Sequence, residues 1–206
     1  MINSSRILIF IIIILSGCAN VQYNDLYKYI KVATLGERDI SVTQEDLLNR
    51  QFSLLKIRVG RGAPVFASLA YIRGDIFEWV LPNNQRILTR NGKIVKTENI
   101  SHNISILDQR RIKDITNTSI VSNYLVQLSN PNAIINSESS WEFLKTERVY
   151  LSKEHDASKY REIVNYKNLR KRFKNYYWID NISKRVVLSY QTIHPNLPKL
   201  TLEFYY

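Results

Sequence analysis

The chain has few residues of the kinds that interrupt secondary structure, form disulfides or carry negative charge. Its 206 residues include six glycines, five prolines and one cysteine, Cys18. A single thiol excludes an intramolecular disulfide and a metal site built from cysteine pairs. Acidic residues are also scarce, 18 against 29 lysines and arginines, so the formal net charge is +11. No apolar run reaches the ~20 residues that a transmembrane helix needs.

The longest apolar run, residues 7–15, follows Arg6 near the amino terminus. It is too short to span a bilayer and has the length of the hydrophobic region of a signal peptide. The next residues, Leu15-Ser16-Gly17-Cys18, resemble a bacterial lipobox, in which the cysteine is acylated and the peptide is cut just before it. We therefore predict that residues 1–17 are a lipoprotein signal peptide and that Cys18 carries the acyl chains. Two or three chains, at about 0.8 kcal/mol per buried CH₂, anchor a protein effectively permanently.

Residues 18–206 are predicted to form a single β-rich domain, with residues 18–50 as a lipidated tether and a short helix. The helix is expected at residues 24–35, where Leu26, Ile30 and Ala33 share one face. Ala19 after the cysteine favours the outer membrane, by resemblance to lipoproteins of Gram-negative bacteria. For an exported basic protein the available polyanions are lipid phosphates and acidic polysaccharides, and nucleic acid is excluded as a partner.

The rest of the chain has the residue composition and turn signals typical of β-structure. Residues 86–97 read RILTRNGKIVKT, and Asn91-Gly92 supplies the two positive φ angles of a type I′ hairpin turn. Residues 129–140 and 152–160 are interpreted as polar loops. Further strands are predicted at residues 53–59, 64–72, 76–81, 120–128, 141–151, 173–180, 185–193 and 199–205. About ten short strands indicate a mainly β fold, an antiparallel barrel-like or sandwich domain.

Two segments resemble the YjbF family of group 4 capsule polysaccharide lipoproteins. They are RILTRNGKIVKT, with Trp79 upstream, and YYWIDNISKRVVLSYQ at residues 176–191. The order of lipobox, helical lead, basic Asn-Gly hairpin and a strand ending in Ser-x-Gln fits as well. The resemblance implies a barrel-like β fold and a role in producing or exporting extracellular polysaccharide. It also implies, as partners, a periplasmic capsule-assembly protein and a large outer-membrane β-barrel.

The sequence contains no phosphate-binding loop, HExxH helix or nucleophile elbow. Glu154-His155-Asp156 is interpreted as part of a solvated loop, so no catalytic residue, metal site or cofactor is predicted. What remains is basic and aromatic surface, since sugars stack on aromatic rings and guanidinium groups bind carboxylates. Such residues also serve as core or as edge protection. The candidate polysaccharide- or partner-binding residues are Trp79, Arg86, Arg90, Lys93, Lys96, Arg170, Arg172, Tyr177 and Trp178.

These observations favour a non-enzymatic outer-membrane lipoprotein, facing the periplasm, that acts as an accessory or binding component in exopolysaccharide or capsule export. One alternative is a periplasmic enzyme that modifies the polymer, with Glu142, Glu147 or Asp180 as candidate carboxylates. Another is a lipid-binding assembly factor, because a small barrel with an apolar mouth holds an acyl chain.

Overall fold

The computed structural model describes residues 38–109, 114–118 and 120–206. The predicted signal peptide, Cys18 and the helix expected at residues 24–35 lie outside this part of the chain. Within the described ranges one α-helix, α1 (Gln44–Leu48), precedes the strands, and a capping box between Thr43 and Asp46 fixes its start. The strands are β1 (Leu54–Val59), β2 (Val65–Arg73), β3 (Ile76–Val80), β4 (Arg86–Arg90), β5 (Lys93–Glu98), β6 (Ile104–Ile106), β7 (Ser122–Leu128), β8 (Ala133–Tyr150), β9 (Glu154–Tyr166), β10 (Lys171–Asp180), β11 (Val186–Gln191) and β12 (Leu200–Tyr205).

The twelve strands form a closed barrel in which each strand pairs with the next along the chain. All pairs are antiparallel, and β1 pairs with β12 to close the ring. The predicted mainly β, antiparallel barrel-like fold is confirmed, with twelve strands where about ten were expected. In the ranges that the structure describes, no helix is long and apolar enough to cross a bilayer.

The two segments predicted to be loops, residues 129–140 and 152–160, belong largely to the longest hairpin, β8–β9. Only residues 129–132 of the first lie outside a strand, and the second becomes strand from Glu154 onward. The inward positions of the first segment include Ser137 and Ser139, while Ala157 of the second packs with Trp178 on the outer face. All three are less than 3% exposed. Where small or polar residues occupy both faces, there is no hydrophobic period of two, and these two segments were therefore interpreted as loops. The rest of β8, residues 141–150, lies within the strand predicted at residues 141–151.

The barrel interior is a packed core. Strand β12 shows the pattern, because Leu200, Leu202 and Phe204 are buried between the less buried Thr201 and Glu203. Trp79 and Tyr177 are fully buried, and the cavity among the core residues of β5–β7 and β9–β11 measures about 20 Å³. That space is enough for about one water molecule.

The up-and-down order divides the connections between two ends of the barrel. The Asn-Gly end carries the β2–β3, β4–β5, β8–β9 and β10–β11 turns, together with Tyr206 after β12. The opposite end carries the β1–β2, β3–β4, β5–β6, β7–β8, β9–β10 and β11–β12 connections. Strand β10 therefore starts at the opposite end and finishes at the Asn-Gly end.

Gln191 joins the two segments on which the family resemblance rests. Its Nε2 donates to the carbonyl of Gly92 at 2.7 Å, and its Oε1 accepts from the backbone N–H of Ile94 at 2.9 Å. Asn91 and Gly92 both have positive φ, as the predicted turn requires. A Cβ on Gly92 would lie 2.5 Å from Cβ of Val186, so β11 also packs directly against the turn.

Candidate functional site

The basic residues of the β4–β5 hairpin are all paired with carboxylates, which come from other strands and turns or, for Lys96, from the end of the hairpin itself. Arg90 forms an ion pair with Asp75, and Lys96 pairs with Glu98 at 2.6 Å. Arg86 lies 3.4 Å from Glu78. The hairpin contains few acids in its own sequence, but the fold neutralises its charge. It is therefore not the free cationic surface that the sequence predicted.

Lys93, the fourth basic residue of the hairpin, lies inside the barrel. It forms an ion pair with the fully buried Glu162 of β9, and its Nζ donates to the Tyr124 hydroxyl at 2.8 Å. Asn175 and Tyr177 each donate to the other oxygen of Glu162 at 3.1 Å. Burial alone would lower the pKa of Lys93, but the Glu162 carboxylate outweighs this and raises the pKa above its ordinary value. Lys93 thus cannot contact a polymer.

Two of the predicted aromatic binding residues also belong to the core. Trp79 is fully buried and donates its indole N–H to Thr89 Oγ1 at 2.9 Å. Tyr177 is fully buried beside Glu162 and packs edge-on against Trp141 at 5.0 Å between ring centroids. The expectation that these two rings line a surface groove is wrong, because each points into the barrel.

Two of the remaining candidates, Arg172 and Trp178, lie on the outer face of β10, and Arg170 directly precedes the strand. We call the outward row of this strand the β10 stripe: Arg172, Lys174, Tyr176 and Trp178. Successive residues of a strand point to opposite faces, so Phe173, Asn175 and Tyr177 face inward while the stripe faces out. Arg172 and Lys174 are exposed, Tyr176 is half-buried, and Trp178 is 5% exposed. The stripe thus runs from two cations near the opposite end to two aromatic rings near the Asn-Gly end.

Neighbouring strands extend the aromatic part of this surface. Tyr190 of β11 pairs with Tyr176 in register and packs edge-on against Trp178 at 4.9 Å. Lys159 of β9 places its Nζ 4.5 Å from the Trp178 ring centroid, and exposed Lys199 lies 5.7 Å from that of Tyr176. Trp178 therefore forms the base of the cluster, under Lys159 and the two half-buried tyrosine rings.

The cations at the start of β10 differ from those of the hairpin. Within the described part of the chain no carboxylate lies at ion-pair distance from Arg170, Lys171, Arg172, Lys174 or Lys199. All five are exposed. These cations keep their full charge for a ligand, which makes this end of the β10 stripe the best anion site among the predicted residues.

Sequence reasoning missed Lys159, Tyr176, Tyr190 and Lys199 as members of this surface. Strict alternation through residues 172–178 would have placed Tyr176 outside and Tyr177 inside. Lys159 gave no such signal, because its segment was interpreted as a loop. The contributions of Tyr190 and Lys199 depend on the β10–β11 and β11–β12 pairings, which a sequence alone does not specify.

The acidic residues considered for catalysis are each held by a basic or polar partner. Hydrogen bonds from Lys145 and Trp178 lower the pKa of Glu147 to about 2. Burial raises the pKa of Asp180, but bonds from Ser183 and His155 outweigh it and leave the pKa below its usual value. Glu142 forms an ion pair with Arg161. The general acid of a glycosidase needs a raised pKa, so neither Glu147 nor Asp180 suits that role.

The Glu154-His155-Asp156 segment lies on β9 and its three side chains engage different partners. Glu154 pairs with Arg148 at 3.2 Å, His155 with Asp180 at 3.1 Å, and Asp156 accepts from Asn181 at 2.9 Å. Residues 38–109, 114–118 and 120–206 contain no group of three histidine, cysteine or acidic side chains arranged to hold a metal ion.

Comparison with known proteins gives the chain its family. The model of the family described as group 4 capsule polysaccharide lipoprotein gfcB, YjbF matches residues 27–205. The chain belongs to the YjbF family. It is 24% identical over 90 residues to the uncharacterized lipoprotein GfcB of Escherichia coli K12, which covers 44% of this chain and 42% of that protein. The match thus spans well under half the length of this curated relative.

A solved structure has the same fold. The crystal structure of the hypothetical lipoprotein YmcC of Escherichia coli K12 superposes with a TM-score of 0.69 at 18% sequence identity. The superposition covers 91% of this chain and 97% of YmcC. The barrel is therefore shared with another lipoprotein, and the YjbF family description places this chain among capsule polysaccharide lipoproteins.

Proposed function

We propose that the protein is an outer-membrane lipoprotein, anchored by acyl chains on Cys18 and facing the periplasm, that assists capsule or exopolysaccharide production and export without catalysing a reaction. Its direct contribution is to bind an acidic polysaccharide along the β10 stripe. An outer-membrane β-barrel and a periplasmic capsule-assembly protein are the partners that this role requires. The family description supports the pathway.

The observation that carries polymer binding is the unpaired charge beside exposed aromatic edges. Arg172 and Lys174 have no carboxylate partner among the described residues, and Tyr176 follows them on the same face. A guanidinium group binds a carboxylate through two parallel hydrogen bonds, while a half-buried tyrosine ring packs against the C–H face of a sugar. Alternate strand residues lie about 7 Å apart, so the stripe presents these groups in line to an extended chain.

Neither alternative function has a comparable basis. The lowered pKa values of Glu147 and Asp180 keep both carboxylates ionised at neutral pH, so they cannot act as a general acid there. For lipid carriage, the interior cavity of about 20 Å³ has no room for an acyl chain, so a lipid would have to use a surface cleft such as the one of about 760 Å³ that Leu47, Leu48 and Phe204 help to line. Release of reducing ends from the polymer, or lipid that co-purifies with the barrel, would favour the respective alternative.

Polymer binding is tested with the full-length chain in neutral detergent and with polygalacturonate as the acidic probe. The variant R172E/K174E should bind at least about tenfold more weakly at low salt, because each lost charge-assisted contact contributes about 1.5–3 kcal/mol. Dextran, which is uncharged, should bind neither protein measurably. Affinity of the wild type should fall as salt rises, since the cations are exposed.

The matched control is K145E/R148E, which makes the same change of charge on the exposed β8–β9 hairpin. Lys145 and Arg148 already hold Glu147 and Glu154 as partners, so this variant should bind polygalacturonate within about twofold of wild type. Equal losses in both variants would mean that only net charge matters. Unchanged binding by R172E/K174E would refute the β10 stripe as the site.

A further inference from the structure

A cleft opens at the Asn-Gly end of the barrel, away from the cations that start β10. Its volume is about 410 Å³, within the range of about 300–1,000 Å³ typical of small-molecule sites. Phe77, Ile115, Ile179 and Val186 supply apolar lining, and the Tyr206 ring forms part of one side. Phe77 and Tyr206 contact each other edge to face at 5.9 Å. The cleft is thus closed toward the core and open toward solvent.

One side of the cleft carries two cations. Lys184 and Arg185 follow the β10–β11 turn, both are exposed, and neither has a carboxylate at ion-pair distance in the part of the chain that the structure describes. The Arg185 guanidinium lies 5.0 Å from the centroid of the Tyr206 ring. This contact holds the planar guanidinium beside an aromatic surface, with its hydrogen-bond donors available to a planar anion.

The lining also includes the carboxylates of Asp75 and Asp114, which are partly engaged by other partners. Asp75 forms an ion pair with Arg90, and Asp114 Oδ1 accepts from the backbone N–H of Thr116 at 3.4 Å. Carboxylate oxygens have several lone pairs each, so both groups keep the capacity to accept from hydroxyl donors. The cleft lining therefore combines two cations, two carboxylates that accept from hydroxyl groups, an aromatic ring and apolar side chains.

We propose that this cleft binds a single sugar ring that bears a carboxylate, such as a uronic acid. Arg185 holds the carboxylate with Lys184 beside it, Tyr206 packs against the ring, and Asp75 and Asp114 accept from its hydroxyls. The site goes beyond the proposed function, because it takes one residue of sugar and does not depend on polymer binding at the β10 stripe.

Calorimetric titration of the full-length chain with galacturonate tests the assignment, with galactose as the neutral probe. Wild type should bind galacturonate at least about tenfold more tightly than galactose. R185Q should lose at least about tenfold in galacturonate affinity, and R185K should lose less. R148Q, which removes an exposed cation from the β8–β9 hairpin, should match wild type. A thermal melt of each variant confirms that the barrel is intact.

Three results would overturn the proposal. Galactose that binds as tightly as galacturonate would remove the role of the carboxylate, and unchanged affinity in R185Q would remove the role of Arg185. Competition by inorganic phosphate at the same concentration as galacturonate would show a general anion site instead of a sugar site. R172E/K174E separates the two proposals, because it should lose polygalacturonate and keep galacturonate.

Discussion

The side-chain amide of Gln191 hydrogen-bonds two backbone groups of the Asn-Gly hairpin. Its amide donates to Gly92 and Ser189 and accepts from Ile94, and its side chain is 1% exposed. These bonds hold the Asn-Gly turn against β11, which is distant from the turn in sequence. A buried amide with this many partners costs more to remove than a surface residue of the same type, because its partners are left unpaired.

Replacing Gln191 with leucine should lower the free energy of unfolding by about 2–4 kcal/mol, since the Gly92 carbonyl and the Ile94 N–H lose their partner in the core. Urea unfolding followed by circular dichroism measures this value. Gln127→Leu, at an exposed position on β7, is the matched control and should change it by less than about 0.5 kcal/mol. Equal effects of the two substitutions would refute the role assigned to Gln191.

The β5 and β9 strands are joined across the barrel by the Lys93–Glu162 ion pair. Lys93→Met should lower the free energy of unfolding by about 3–5 kcal/mol, because it leaves an uncompensated carboxylate in the core. Lys93→Met combined with Glu162→Gln should recover part of that loss. Lys96→Met, on the outer face of the same strand, is the control and should have little effect. A double variant no more stable than the single one would contradict this account.

The β8–β9 hairpin is tied to β10 by Glu147, which accepts from Trp178 Nε1 at 2.7 Å and pairs with Lys159 at 3.2 Å. Its folded-state pKa of about 2 lies below the ordinary value of 4.5. The stabilisation is therefore complete above pH ~4.5 and is lost as the pH falls toward 2.

Glu147→Gln should lower the free energy of unfolding by about 1 kcal/mol at pH 7, a value reduced for solvent screening, and by much less at pH 2. Denaturant unfolding at the two pH values measures the difference. Glu154→Gln removes an exposed carboxylate from the same hairpin and should show no comparable pH dependence. A Glu147→Gln effect of equal size at both pH values would exclude the carboxylate charge as its cause.

Strands with an apolar inner face were predictable from the sequence, and β12 is the clearest case. Segments without that signal were not: residues 133–140 of β8 and 154–160 of β9 carry mostly small or polar side chains and were expected to be loops. Residues 141–150 of β8, in contrast, were predicted as a strand. In the hairpin a register shift between Leu88 and Thr89 breaks the alternation, and Lys93, Ile94 and Val95 are all buried. A bulge of this kind leaves no mark in the sequence pattern, so Lys93 was expected at the surface.

The candidate site was predictable in part for a related reason. The sequence showed that basic and aromatic residues occur together at the start and middle of β10. Those of them that point away from the barrel interior form the β10 stripe. Pairing of charges depends on the fold. Glu78, Asp75, Glu98 and Glu162 approach the hairpin cations from other strands or turns, or from within the hairpin itself, and none of these contacts follows from composition.

At the scale of the whole molecule, the fold distributes an excess of positive charge unevenly. Carboxylates neutralise the hairpin, while Arg170, Lys171, Arg172 and Lys174 remain unpaired within the described ranges. An exposed cluster of one sign attracts polyanions from a distance of about one Debye length, ~8 Å at physiological salt. We therefore expect an acidic polymer to approach the barrel at the start of β10 and to extend along the stripe toward Trp178.

Lysine acetylation footprinting of the full-length chain, read by mass spectrometry with and without polygalacturonate, tests this expectation most directly. The account predicts that the polymer protects Lys171, Lys174 and Lys199 and leaves the exposed Lys145 and the half-buried Lys96 as reactive as before. Protection of Lys96 and Lys145 to the same extent, or no protection at Lys174, would contradict it.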